Sequence, residues 1–435
     1  MSNAESNSLR RSARYLLPAA FLVLAVVAYP RISQAFIPYP YFPKLVDFLR
    51  IFSLLNLGLA GIVFFTRKSP GTLLRESGLA NAWLFICLLG MVLCTNRIYA
   101  MQFKWLLLVV YLALLLQLLK AYYLLVVKPE AKGWKMRLST LFLPLLALFI
   151  FAEIGFMFVA QPHGSYPDYL PQINWNHRYW EVNAEGYRDA DFARGNGKQK
   201  VMVMGDSFTA GSGVKDPNDR FSNLLESRFA QVAFFNLGQP GSNTPQMFRR
   251  IKEAEHLGAD VLLLSYCLND IHDAAHQAGV ELEWNPQGAG IPGFLLPLMH
   301  YSHTFNYFFG IYGMGFTQMD YFTWLEGCFT NPEVLKYHHA DLDQIVAYAK
   351  ARNMRMAAVV FPLMQAPARS VKVTAIISDY FRSREIPVVD LGPTFRDYPA
   401  DSLWVRPLDP HPNEFVNRMA ADELEKVFRA ENLLR

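Results

Sequence analysis

The sequence predicts a chain in two parts: an α-helical transmembrane region of about five spans, then an α/β domain, a flavodoxin-like three-layer α/β/α sandwich on a parallel five-stranded sheet. Three observations predict it. Composition changes near residue 160 of the 435. Before that point, apolar runs approach the roughly 20 residues that a helix needs to cross a hydrocarbon core. From Lys200 onward, short β-branched runs alternate with amphipathic helical stretches, the pattern of parallel βαβ units. The domains are accordingly 1–160, transmembrane; 161–199, a connector; and 200–435, the α/β domain, with an insertion at 271–330.

The spans are placed at about 15–29, 45–65, 79–94, 105–127 and 138–159. Lys and Arg in short loops set their orientation. Arg10, Arg11 and Arg14 precede the first span, Arg67, Lys68 and Arg75 follow the second, and Lys128, Lys132, Lys135 and Arg137 follow the fourth. The opposite loops hold only Arg31, Lys44, Arg97 and Lys104, with Arg50 just inside the second span. The N-terminus is expected in the cytoplasm and the large domain outside the inner membrane, in the periplasm or extracellular space. A cleaved signal peptide competes for the first run, but no small-residue cleavage site follows Tyr29. Lys120 falls two turns from the cytoplasmic end of the fourth run, where its side chain can snorkel. Glu153 falls inside the fifth span, where a carboxylate is costly; it is a functional candidate or the partner of a neighbouring helix.

The formal net charge of +4 is slight, and the basic residues are already used by the topology, so nothing points to nucleic acid. Cys87 and Cys94 share one expected helix and cannot bridge; Cys267 and Cys328 are one possible pair, with two free thiols the expectation. No cofactor or metal is expected, because His300, His303, His338 and His339 lack a surrounding cluster of Cys, Asp and Glu. His272 reads either as a pocket residue or as a satisfied structural histidine.

The connector, rich in Pro, Tyr, Trp and Asn, is expected to wrap the domain that follows. Strands are expected at 200–205, 232–236, 261–266, 354–361 and 387–391, with helices at 218–229, 245–257, 340–352, 370–384 and 413–428. The interval 271–330, heavy in Phe, Tyr, Met and Gly, does not fit this alternation. It reads as a lid, a membrane-facing surface or a helical packing element.

In an open parallel sheet, reactive groups belong at the carboxyl ends of strands. The first strand ends Gly205-Asp206-Ser207-Phe208-Thr209-Ala210-Gly211, the second Asn236-Leu237-Gly238-Gln239-Pro240-Gly241, and the third Asn269-Asp270. A serine on a Gly-containing turn can direct its own N–H at an oxyanion, and an Asn amide is a neutral donor to one. Taken singly, each segment also reads as ordinary turn or cap chemistry. On the loop after the last strand comes Asp409-Pro410-His411-Pro412-Asn413. Each Pro holds the residue before it extended, so Asp409 and His411 can face the same way, the carboxylate orienting the imidazole and the imidazole taking the proton of Ser207.

Together, Gly-Asp-Ser-Phe-Thr-x-Gly, Asn-x-Gly-x-x-Gly, x-Asn-Asp and Asp-x-His-Pro-Asn resemble the four marked blocks of SGNH/GDSL hydrolases, over Lys200 to the C-terminus. The connector segment 181–189, containing Asn183, Gly186 and Arg188, is similar to the lead-in of membrane-anchored bacterial members. The resemblance implies Ser207 as nucleophile, His411 as base, Asp409 as orienting acid, and the Ser207 N–H, Gly241 and Asn269 as the oxyanion hole, with Gly238 the second choice for the backbone donor. One departure stands: many members place the acid three residues before the His, where this chain has Leu408.

The implied function is a membrane-anchored serine esterase acting on O-acyl, above all O-acetyl, esters of an envelope or exported glycan, or on a lipid-linked substrate. An O-acyltransferase using the same site, or a non-catalytic component of a membrane assembly, are the alternatives. Five spans exceed what an anchor needs and suggest a membrane protein partner besides the lipids. No His precedes His163, which counts against an intramembrane histidine acyltransferase.

Overall fold

The computed structural model describes residues 104–127, 134–163, 169–281, 302–312, 318–407 and 409–434. The first three expected spans, with Cys87 and Cys94, lie outside the described residues, as do His300 and Leu408. The chain divides into two compact units, Met1–Phe158 with Phe294–Asn306, and Val159–Gly293 with Tyr307–Arg435.

In the first unit, helix α1 (Lys104–Tyr122) is continued by a π-helical turn, Tyr123–Val127, and is followed by α2 (Trp134–Met157). Val110, Tyr111, Leu114 and Leu118 pack against Ile150 and Met157. Leu116, Leu119, Leu141, Phe142, Leu148 and Phe151 are each more than half exposed. Among the described residues one helix, Arg137–Met157, is long and apolar enough to cross a membrane, with mean hydropathy 2.1. The fourth expected span is helical, but its apolar part shortens to Leu108–Leu119 between Lys104 and Lys120. The described residues therefore support one crossing, not the multi-pass count that the sequence suggests.

Glu153 is buried within this unit and fully engaged. It accepts from the Tyr111 hydroxyl at 3.2 Å, from the Ser302 hydroxyl, and from the His303 and Thr304 N–H groups at 2.9 and 3.0 Å. Those N–H groups open a helix and have no intrahelical acceptor, so the carboxylate completes the first turn and meets the positive end of its dipole.

The second unit holds the sheet. Helix α3 (Leu170–Tyr179) lies in the connector and precedes β1 (Gln199–Met204). A one-turn helix, α4 (Ser207–Ala210), leads to α5 (Phe221–Arg228), β2 (Val232–Asn236), α6 (Thr244–Glu253), β3 (Val261–Cys267) and α7 (His272–Gln277). After α8 (His303–Tyr312), whose residues to Asn306 are counted in the first unit, come α9 (Gln318–Thr330), α10 (Pro332–Ala351), β4 (Arg355–Phe361), α11 (Pro367–Arg382), β5 (Val388–Asp390) and α12 (Gly392–Phe395). An antiparallel pair, β6 (Trp404–Arg406) and β7 (Asp409–Pro412), precedes α13 (Glu414–Ala430).

Strands β1 to β5 form one parallel sheet in the order β2-β1-β3-β4-β5. Right-handed crossovers then put α5 and α13 together on one face, and α6 and α10 together on the other. Strands β2 and β3 are buried along their whole length, as a sheet covered on both faces requires. Within the interval 271–330, α9 contributes Phe322, Leu325, Cys328 and Phe329 to the main core. Helix α10 begins eight residues before the start that periodicity suggests, because Asn331 caps it by accepting from Glu333 N–H and Pro332 fits the first helical position. Cys267 and Cys328 are buried, unpaired thiols.

Candidate active site

Strand β1 is followed by Gly205, where no side chain fits: a Cβ would lie 2.0 Å from Thr209 Oγ1 and 2.7 Å from the Ser265 carbonyl oxygen. The chain turns there into α4, capped by Asp206, which accepts from Phe208 N–H at 2.8 Å. Ser207 is thus the first residue of the turn, and a helix leaves that N–H without an intrahelical acceptor. Its hydroxyl is half-buried and makes one long contact, 3.4 Å, to Asp206 Oδ2.

Asp206 is completely buried. Burial pushes its carboxyl upward, opposed by the Phe208 N–H, the charge of His411, and hydrogen bonds from Asn269 and Ser207. Asp270 lies nearby, pushed well up by burial and by the charge of Asp206. The end of β2 is tied to the serine turn by Asn236, whose amide donates to the Thr209 carbonyl at 2.7 Å while its oxygen accepts from Gly238 N–H at 3.0 Å. Gly238 packs flat on this turn; a Cβ there would lie 2.3 Å from Ala210 N.

On β7, Asp409 and His411 face one way, as alternate residues of an extended segment do. Asp409 is buried and accepts from His411 Nδ1. A carboxylate only accepts, so Nδ1 carries the proton and Nε2 presents a lone pair. Burial would lower the imidazole pKa, but the Asp409 carboxylate, its hydrogen bond and the charge of Asp206 raise it above 6.5 overall. Phe208 meets the imidazole edge-on at 5.6 Å. The motif is anchored from behind: Asn413 caps α13 through Val416 N–H at 3.1 Å, and Asn417 accepts from Phe221 N–H at 3.0 Å.

Ser207, Asp409 and His411 open on one cleft of about 540 Å³, with Gly238 and Gly241 in its wall. Such a set can run nucleophilic acyl chemistry: a hydroxyl, an imidazole with a free lone pair, and a carboxylate holding the imidazole. Asn269 is not among the residues that line the cleft; its side chain acts on Asp206, favouring the charged carboxylate. The family model for GDSL-like lipase/acylhydrolases matches residues 203–418. This segment is a GDSL-like lipase/acylhydrolase domain.

Solved structures similar to the GDSL-like domain are distant. A GDSL-family lipolytic protein from Veillonella parvula is 16% identical over 53% of this chain and 98% of that one, with a TM-score of 0.33. A lipase/acylhydrolase from Enterococcus faecalis is 13% identical over 55% and 97%, with a TM-score of 0.35. A two-domain esterase active on acetylated mannans is 12% identical over 55% and 51%, with a TM-score of 0.34. No curated protein matches the chain.

The cleft has a second set of residues that motif spacing does not reveal. His163, Gln172, Asn176, Trp180, Gly186 and Arg188 all line it, and all precede the GDSL-like segment. Gly186 and Arg188 belong to the 181–189 segment that the resemblance marks; for the other four the signal in the sequence is the connector's unusual content of aromatic and amide side chains. Other histidines lie elsewhere: His272 bonds the Tyr321 hydroxyl at 2.8 Å, and His338, held down to about 3 by burial, bonds Tyr266 at 2.7 Å. Among the described residues no three His, Cys, Asp or Glu side chains gather as metal ligands would.

Proposed function

We propose that this protein is a membrane-anchored serine esterase that removes short acyl groups, foremost acetyl, from hydroxyls of an extracytoplasmic glycan. The observation that carries the reading is the Asp409–His411 hydrogen bond facing the same cleft as Ser207. Ser207 Oγ attacks the ester carbonyl while His411 Nε2 takes its proton. The alkoxide of the tetrahedral intermediate is met by the Ser207 N–H and the Gly241 N–H, both at the cleft, while Asn269 supports the serine turn through Asp206. His411 returns the proton to the leaving sugar oxygen, and water, deprotonated by the same imidazole, releases the acid and restores Ser207.

The acyl group is short because the cleft is lined by Gly, Ser, Gln, Asn, His, Trp, Arg and Asp, with Pro240 its single aliphatic side chain. Each methylene of a fatty chain is stabilised by about 0.8 kcal/mol in an apolar pocket, and this wall has no run of aliphatic side chains to receive a long one. The exposed apolar faces of α1 and α2, and the crossing-length helix Arg137–Met157, support anchoring in a bilayer. An external position of the α/β domain is part of this reading, as are membrane lipids and a membrane protein as partners.

The test is release of p-nitrophenol from p-nitrophenyl acetate by the full-length protein in detergent, alongside Ser207→Ala and His411→Ala. Turnover by the parent and silence of both variants is the expected result. Equal turnover by all three sinks the serine mechanism.

A further inference from the structure

The connector side of the cleft has a hydrogen-bond polarity that fixes what it offers a ligand. The backbone N–H of His163 donates to Gln172 Oε1. A backbone N–H can only donate, so the Gln172 amide has one orientation, and its Nε2 donates to Asn176 Oδ1 at 2.8 Å. Asn176 therefore spends its oxygen on Gln172 and keeps its NH2 group for the cleft, where the residue is exposed.

One turn further on, Trp180 closes α3 by donating its N–H to the Asn176 carbonyl at 2.8 Å. Its ring is held by the Arg188 guanidinium, 4.8 Å from the centroid. Arg188 itself has no donor to spare for an anion: it serves the carbonyls of Tyr179, Ala210, Gly211, Val214 and Lys215. A neutral amide donor and a fixed indole ring thus stand on the same cleft as Ser207 and His411, with the cation already engaged.

We propose that Asn176 and Trp180 form a subsite for the alcohol part of the ester, a neutral glycosyl unit whose oxygen accepts from the Asn176 amide and whose C–H face lies on the Trp180 ring. Partially positive C–H groups suit the negative face of an indole, and a hydroxyl oxygen suits a neutral N–H donor. The subsite rests on the esterase reading of the cleft. It deepens that reading by placing sugar recognition in residues before the GDSL-like segment.

The test measures kcat/KM of the full-length protein in detergent on a mono-O-acetylated methyl hexoside and on p-nitrophenyl acetate, for the parent, Asn176→Ala, Trp180→Ala and Trp180→Phe. The expected result is a fall of about ten-fold or more in the ratio of hexoside ester to p-nitrophenyl ester in the two Ala variants, partly restored in Trp180→Phe. An unchanged ratio, including an equal loss on both esters, overturns the subsite, since it gives the two residues no role or a purely structural one. A parent active on p-nitrophenyl acetate alone also overturns it while leaving the esterase intact. A parent inactive on both esters removes the esterase reading, and the subsite with it.

Discussion

Arg188, in the connector, donates through Nη1 to the carbonyl of Gly211 at 2.6 Å, inside the loop that carries Ser207. Its other donors hold Val214 and Tyr179, and Arg220 donates to the Arg188 carbonyl. Arg188 is 2% exposed. Burial, with the charge of Arg220 beside it, draws its pKa down to about 9, still cationic at neutral pH. Arg188→Ala leaves several buried carbonyls without donors, each worth about 1–3 kcal/mol. The expected loss is at least about 3 kcal/mol in urea denaturation of the α/β unit.

Asp409→Asn keeps the shape beside His411 but lets the amide donate, which favours the wrong imidazole tautomer. A fall of about 10⁴-fold in kcat is expected on p-nitrophenyl acetate, as in the Ser-His-Asp triad. A change of less than ten-fold would show that another group orients His411.

The pH profile follows from the raised pKa of His411. Only neutral imidazole can take the Ser207 proton, so kcat/KM should rise with pH through a value above 6.5. In Asp409→Asn the larger raising charge is gone while burial and the charge of Asp206 remain, so the residual activity should show its acid limb at lower pH. The same shift is a stability term of opposite slope. The folded state binds this proton more tightly than the unfolded chain, so its contribution is full below about 6.5 and is lost as pH rises through the folded value.

The two glycines at the end of β2 should separate by mechanism. Gly238→Ala drives a Cβ to 2.3 Å from Ala210 N, so overpacking of about 1–3 kcal/mol and a displaced serine turn are expected. Gly241 has open space around it but φ of +76°, so Gly241→Ala should cost only the left-handed strain of about 1–2 kcal/mol. Thermal unfolding with parallel kinetics distinguishes them, with the larger loss of turnover per degree of Tm expected in Gly238→Ala.

Glu153→Ala removes the acceptor for two helix N–H groups and two hydroxyls at once. A lower Tm of the full-length protein in detergent is the expected outcome, with kcat on p-nitrophenyl acetate unchanged at temperatures where the variant stays folded. Lost turnover in the folded variant would return Glu153 to the functional candidates.

The sequence alone carried the parallel sheet, because β-branched runs and helical periodicity are local properties that burial on both faces enforces. It also carried the positions of Ser207, Asp409 and His411, because strand-end turns and paired prolines restrict the backbone within a few residues. Helix α10 shows the limit of periodicity: its start is set by Asn331 and Pro332, a cap rather than a stripe. The pair β6 and β7 is equally invisible, three and four residues long. Only the tertiary structure decided that the connector supplies a wall of the cleft, that Asn269 sits against Asp206 rather than in that wall, and that Glu153 meets a helix end 150 residues later in the chain. Those are pairings between distant segments, made by unsatisfied donors and acceptors finding each other once the core has formed, and no local period records them.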